Sequence, residues 1–74
     1  MATARELLKK YFLGHVGVWH LNDIAAETKI PVQALRTMLD KMTEDKMLSF
    51  YDFGINPGYQ LQASEEALES YFSK

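Results

Sequence analysis

Four segments of the chain place apolar residues at intervals of three and four, the spacing that lines one face of an α-helix. The first segment begins at a capping box formed by Thr3 and Glu6 and ends near Gly14. We expect Asn22 to cap the second and Ser64 to cap the last, while the third runs from about Pro31 to Asp45. The residues predicted to face inward are Leu7, Leu8, Tyr11, Phe12, Ile24, Ala25, Thr28, Ile30, Leu35, Met38, Leu39, Met42, Ala67, Leu68, Tyr71 and Phe72.

The remaining apolar stretches are rich in β-branched and aromatic residues and are too short for helices. Residues 15–20 predict one short strand. Residues 47–53 and 59–62 predict two more, separated by a turn at 54–58 that contains Gly54, Asn56, Pro57 and Gly58. The second half of the chain therefore contains a predicted β-hairpin.

A proline separates the second and third helices by only a few residues. Pro31 lacks a backbone donor but fits the first turn of a new helix, so the segment predicts a tight helix-turn-helix. Together with the hairpin, residues 21–27, 30–42, 47–48 and 59–61 resemble the winged helix-turn-helix superfamily of small bacterial regulators. The resemblance implies an α+β, mostly α fold in the order helix, strand, helix, helix, strand, wing, strand, helix, as a single domain over residues 1–74.

Members of this superfamily place the third helix in the DNA major groove, and the wing contacts a neighbouring groove or the backbone. The resemblance therefore implies that this chain regulates transcription by binding double-stranded DNA. Gln33 has the paired donor and acceptor that read adenine, and Arg36 suits guanine or a phosphate. The predicted DNA-binding residues are Lys29, Val32, Gln33, Arg36, Thr37 and Lys41.

The charge of the chain limits this function. The formal net charge is −2, and residues 31–46 carry three basic and three acidic side chains. The hairpin contains Asp52 and no lysine or arginine. Because phosphate neutralisation supplies most non-specific affinity, a monomer should bind DNA weakly, and a homodimer on a two-fold site would restore affinity.

The uncharged hairpin favours an alternative function. Its aromatic and aliphatic residues are more typical of a protein contact than of a phosphate contact. In this alternative the domain docks on a protein partner through the hairpin or through the C-terminal helix. The residues predicted for the protein contact are Tyr51, Phe53 and Ile55.

Other classes of function find little support in the sequence. There is no cysteine, and the two histidines, His15 and His20, have no second ligand at metal spacing, so we expect no metal site and no cofactor. The glutamates at 65, 66 and 69 are typical of the solvated face of a capped helix, and no nucleophile and base can be assembled into an active site. We therefore expect no enzymatic activity. Residues 1–6 have no leader-like pattern and no segment is long and apolar enough to cross a bilayer, so we expect a cytoplasmic protein.

Overall fold

Four helices and one three-stranded sheet form an α+β, mostly helical domain in the computed structural model, which describes residues 3–73. In chain order the elements are α1 (Ala4–Gly14), β1 (Val18–His20), α2 (Leu21–Thr28), α3 (Val32–Glu44), β2 (Leu48–Tyr51), β3 (Gly58–Leu61) and α4 (Glu65–Phe72). The four predicted helices and the three predicted strands are all present, in the predicted order.

The sheet is antiparallel, with β3 in the centre and β1 and β2 at the edges. Because side chains alternate along a strand, this register gives the sheet two different faces. Trp19, Tyr59 and Phe50 align across the inner face, which packs on the helices. His20, Gly58 and Tyr51 align on the opposite face, which we call the outer face.

The core lies between the helices and the inner face of the sheet. Tyr59, the largest fully buried side chain, comes from the central strand and packs among leucines of the helices. Except for Leu21 at the start of α2, the buried residues of each helix fall on the predicted stripe, because burying that stripe is the main favourable term in folding. The buried apolar residues are Leu8, Tyr11, Phe12, Leu21, Ile24, Ile30, Leu35, Leu39, Met42, Leu48, Tyr59 and Leu68.

Two of the three predicted N-caps are confirmed. The side-chain oxygen of Thr3 accepts a hydrogen bond from the Glu6 amide at 3.2 Å, and that of Ser64 accepts from the Ala67 amide at 3.1 Å. The prediction for Asn22 is wrong, because α2 begins two residues earlier than that cap implies, at Leu21, with His20 in the cap position. The first amides of α2 instead donate to the loop between β2 and β3, from Leu21 to the Pro57 carbonyl and from Asn22 to the Asn56 side chain.

Two of the three strands are shorter than predicted, and the third is shifted by one residue. The first strand covers only Val18–His20, and the hairpin strand predicted over 47–53 ends at Tyr51. The turn starts early because the Asp52 carboxylate accepts a hydrogen bond from the Gly54 amide at 3.1 Å, which bends the backbone away from the sheet. Gly58, predicted as a turn residue, is instead the first residue of β3.

The connection between α2 and α3 consists of three residues, 29–31. Lys29 ends α2 in the left-handed conformation with φ of 66°, and its amide donates to the Ala25 carbonyl. Pro31 lies at the N-cap, one residue before α3, and not in the first turn as predicted, because its ψ of 138° is not helical. Within residues 3–73, no helix has the length and apolar character needed to span a membrane.

Candidate functional site

The N-terminal half of α3 presents a row of exposed side chains on the side that faces away from the core. Leu35, Leu39 and Met42 anchor the helix, so the residues on its opposite side point to solvent. Val32 remains 45% exposed although it is apolar. The predicted DNA-binding residues on this helix are all exposed, namely Val32, Gln33, Arg36, Thr37 and Lys41.

Both predicted basic contacts on α3 form ion pairs within the helix. Arg36 Nε lies 3.9 Å from Asp40 Oδ2, and Lys41 Nζ lies 3.4 Å from Asp45 Oδ1, each pair one turn apart. Pairs this exposed contribute at most about 1 kcal/mol, so either cation can exchange its carboxylate for another anion at small cost. The pairs nevertheless lower the positive potential of the helix face.

Two tyrosines hold the acidic partners of these pairs in place. The Tyr59 hydroxyl donates to Asp40 Oδ1 at 3.0 Å, and the Tyr71 hydroxyl donates to Asp45 Oδ2 at 2.7 Å. Burial, and then the hydrogen bond to the carboxylate, raises the pKa of each phenol to about 12. Both phenols are therefore neutral donors at physiological pH, and each carboxylate is tied to a different part of the fold, β3 or α4.

Lys29 differs from the other two candidate cations. It is exposed and forms no ion pair with any residue of the range 3–73. The neighbouring Thr28 is buried and its hydroxyl donates to the Ile24 carbonyl at 2.7 Å, which fixes the end of α2. The connection therefore presents one uncompensated positive charge next to the first turn of α3.

The three residues predicted for a protein contact are also exposed. Tyr51, Phe53 and Ile55 are 38%, 55% and 97% exposed, respectively. The Phe53 ring lies 5.1 Å from the His20 ring and 6.3 Å from the Tyr51 ring, measured between centroids. Sequence alternation did not predict this position of Phe53, since the residue lies beyond the end of β2 and folds back over the sheet.

The loop carrying Phe53 and Ile55 is fixed at its base. Asn56 accepts from the Asn22 amide through its side chain and from His20 Nδ1–H through its carbonyl, both at 3.0 Å. Sequence reasoning missed this role of Asn56, because its partners are 34 and 36 residues away. The apolar tip of the hairpin is therefore presented from a base with a defined conformation.

The two histidines have structural partners. His15 Nδ1–H donates to the Tyr11 carbonyl at 2.7 Å, its Nε2 lies 3.0 Å from Glu27 Oε2, and its ring stacks on Tyr11 at 4.0 Å. Burial, with smaller effects of Glu27 and Asp23, raises the pKa of Tyr11 to about 12. His15 thus links α1 to α2, and in the described part of the chain no three His, Asp or Glu side chains are grouped to hold a metal ion.

Neither a protein-family model nor a curated protein matches the chain.

Proposed function

We propose that this chain is a winged helix-turn-helix domain that binds duplex DNA through the exposed side of α3 and regulates transcription. The observation that carries the proposal is the pairing of a three-residue connection with an outward N-terminal half of α3. A helix supported in this way can enter a major groove with its first two turns while the preceding helix crosses the backbone. In this proposal the hairpin between β2 and β3 is the wing.

The side chains at the start of α3 have the chemistry for both kinds of contact that DNA offers. Gln33 is exposed and its amide side chain is uncommitted within residues 3–73, so it is free to read a base edge. Arg36 is held by a single exposed ion pair, which a phosphate or a guanine replaces at small cost. Lys29 supplies a phosphate contact from the connection.

The same residues set the expected affinity. Lys29, Arg36 and Lys41 neutralise about three phosphates, so the slope of log K against log salt should be about −3. Such a slope is shallow for a DNA-binding protein. The proposal therefore predicts micromolar binding by one copy at low salt, and strong binding only where two copies act together.

The experiment is a fluorescence anisotropy titration of the chain with a labelled duplex at several salt concentrations. The double variant Arg36→Ala, Lys41→Ala should bind at least ten-fold more weakly, and its salt slope should be smaller in magnitude by about 2. The control Arg5→Ala, Lys9→Ala removes the same charge from α1 and should lose much less. Equal losses in the two variants, or no binding of the wild type at 50 mM salt, would contradict the proposal.

A second candidate function is docking on a protein through the hairpin, and the exposure of Phe53 and Ile55 favours it. Large apolar side chains on a fixed loop are the usual anchors of protein interfaces. The C-terminal helix is less suited to this role, because α4 turns Leu68 inward and leaves glutamates on its outer side. If the domain docks on a protein in this way, the balance of charges on α3 does not affect that function.

Substitutions in the hairpin distinguish the two functions. Phe53→Ser with Ile55→Ser should abolish capture of a protein partner while the thermal unfolding transition is retained. The same double variant should change the affinity for duplex DNA by less than three-fold if α3 provides the main contact. Loss of DNA binding with retention of the protein partner would exclude the second function.

A further inference from the structure

A cavity of about 360 Å³ lies between α1 and the C-terminal end of α2. Leu7, Tyr11 and Gly14 line it from one face of α1, and Thr28 lines it from α2. The surface of the cavity is mostly apolar. Its volume falls within the range of small-molecule sites in proteins, about 300–1,000 Å³. The cavity is therefore large enough for a small organic ligand.

Two opposite charges also line this cavity. Lys10 lies on α1 and Glu27 lies on α2, and both residues are exposed. They form no ion pair with each other, and Lys10 has no ion pair with any other residue of the range 3–73. Glu27 Oε2 lies 3.0 Å from His15 Nε2, whereas Glu27 Oε1 has no partner in the same range. The cavity thus has an unpaired cation on one wall and an available carboxylate oxygen on the other.

The Tyr11 hydroxyl is a third polar group at the cavity. Tyr11 is 5% exposed, and its hydroxyl has no hydrogen-bond partner among the described residues. Because no fully buried side-chain oxygen in that part of the chain lacks a partner, this hydroxyl belongs to the small exposed part of Tyr11. Burial, and then the charge of Glu27, raises the pKa of the phenol to about 12, so it is neutral at physiological pH and can both donate and accept. The hydroxyls of Tyr59 and Tyr71, in contrast, both donate to carboxylates.

We propose that this cavity binds a small zwitterion with an apolar side chain, the chemistry of a hydrophobic amino acid. Lys10 binds the carboxylate of the ligand, and Glu27 Oε1 accepts a hydrogen bond from its ammonium. The Tyr11 hydroxyl accepts from the same ammonium, and the apolar side chain lies against Leu7. A ligand with one charge is a poorer match, because an amine meets a like charge at Lys10 and a carboxylate meets a like charge at Glu27.

Gly14 leaves one side of the cavity open. It is exposed at the end of α1, and a Cβ at this position would have no atom within 4 Å. Its φ lies outside the left-handed region, so a larger residue is accommodated without backbone strain. Gly14→Leu therefore places a side chain at the cavity without disturbing the helix.

The cavity lies next to the connection that leads to α3. The Thr28 hydroxyl donates to the Ile24 carbonyl at 2.7 Å and accepts from the Ile30 amide at 3.4 Å. A ligand that packs on Thr28 and pairs with Glu27 therefore stabilises the end of α2, which supports the first turn of α3. The cavity thus provides an effector site for a DNA-binding domain. This link to DNA rests on the proposed function, but the binding of the ligand does not.

The fluorescence of Trp19 measures ligand binding to the full chain. Trp19 is the one tryptophan of the sequence, and its ring lies 4.8 Å from the ring of His15, which lines the cavity. Titration with L-leucine should give a saturable change with a dissociation constant on the order of 1 mM. Isoamylamine and isocaproate keep the apolar part of leucine and lack its carboxylate or its ammonium, respectively. Each should bind at least ten-fold more weakly.

Single substitutions test each wall of the cavity. Tyr11→Phe removes the hydroxyl alone and should weaken leucine binding about three- to ten-fold. Lys10→Gln and Gly14→Leu should each weaken it at least ten-fold. Lys9→Gln is the matched control, since it removes the same charge from α1 outside this cavity, and it should bind as the wild type does. Thermal unfolding verifies the fold, and Lys10→Gln should leave the transition unchanged because this side chain is exposed and unpaired among residues 3–73.

The absence of a saturable change with leucine up to about 20 mM would overturn the proposal. Equal affinity for leucine and either one-charge analogue, or full affinity in both Lys10→Gln and Gly14→Leu, would also overturn it. Saturating leucine should raise the affinity of the wild type for duplex DNA at least two-fold and leave that of Gly14→Leu unchanged. Leucine binding with no change in duplex affinity would contradict the link to α3, whereas a chain that binds leucine and no duplex would contradict the proposed function.

Discussion

The hydrogen bond between Tyr59 and Asp40 connects the core of the domain to the proposed DNA surface. Tyr59 is fully buried in the centre of the sheet, and its hydroxyl reaches the carboxylate that pairs with Arg36. Core packing thus sets the position of Asp40, and Asp40 restricts the Arg36 guanidinium. Arg36 can pair either with Asp40 or with a DNA phosphate. Substitution of a single residue can therefore shift the balance between these two pairs.

Asp40→Asn should strengthen DNA binding. The change removes a negative charge from α3 and frees Arg36, while the amide oxygen still accepts from Tyr59, so we expect a gain of about two- to five-fold at 50 mM salt. Glu44→Gln is the matched control, since it removes the same charge from the C-terminal end of α3 and leaves the Arg36 pair intact. Anisotropy titrations measure both. Equal affinities of the two variants would show that the pair with Asp40 does not limit Arg36.

High pH should unfold the domain through its buried tyrosines. In the folded state the pKa of Tyr11, Tyr59 and Tyr71 is about 12, above the ordinary value of 10. The stability linked to these phenols is therefore fully present below pH 10 and is lost as pH rises from 10 towards 12. Absorbance at 295 nm and far-UV circular dichroism should change together in this range. Ionisation of three phenols without loss of helix signal would contradict the burial described here.

Among the elements, the helices could be predicted from the sequence and the loop contacts could not. Periodicity marked the buried face of each helix because burial of that face is what stabilises it. The start of α2 was mispredicted because its first amides are satisfied by Asn56 and Pro57, far away in the chain. Likewise, the exposed side of α3 was predicted as a set of residues, but the hydrogen bonds from Tyr59 and Tyr71 that fix its acidic partners depend on tertiary packing.

The end of α3 offers a stability test at the scale of an element. Lys46 follows the helix in the left-handed conformation with φ of 67°, a geometry that glycine adopts without strain. Lys46→Gly should therefore stabilise the domain by about 0.5–1 kcal/mol. Ala34→Gly, in the exposed first turn of the same helix, should instead destabilise it, by less than the about 1 kcal/mol that glycine costs in a helix interior. Urea denaturation measures both, and destabilisation by Lys46→Gly would contradict the described helix end.

At the scale of the whole molecule, the outward side of α3 and the hairpin are two exposed surfaces of different character. The outward side of α3 is polar with balanced charge, whereas the hairpin exposes the apolar side chains of Phe53 and Ile55. We proposed that the first surface binds DNA. With about three phosphate contacts per copy, this surface alone binds DNA weakly, so strong binding requires two copies on one duplex.

The most direct test of the central claim, that α3 meets DNA, is a ¹H–¹⁵N correlation spectrum of the chain titrated with a short duplex at low salt. The account predicts that the largest shift changes fall on residues 29–37, with smaller changes at the tip of the hairpin. Changes confined to the strands of the sheet, or no changes at millimolar duplex, would contradict it.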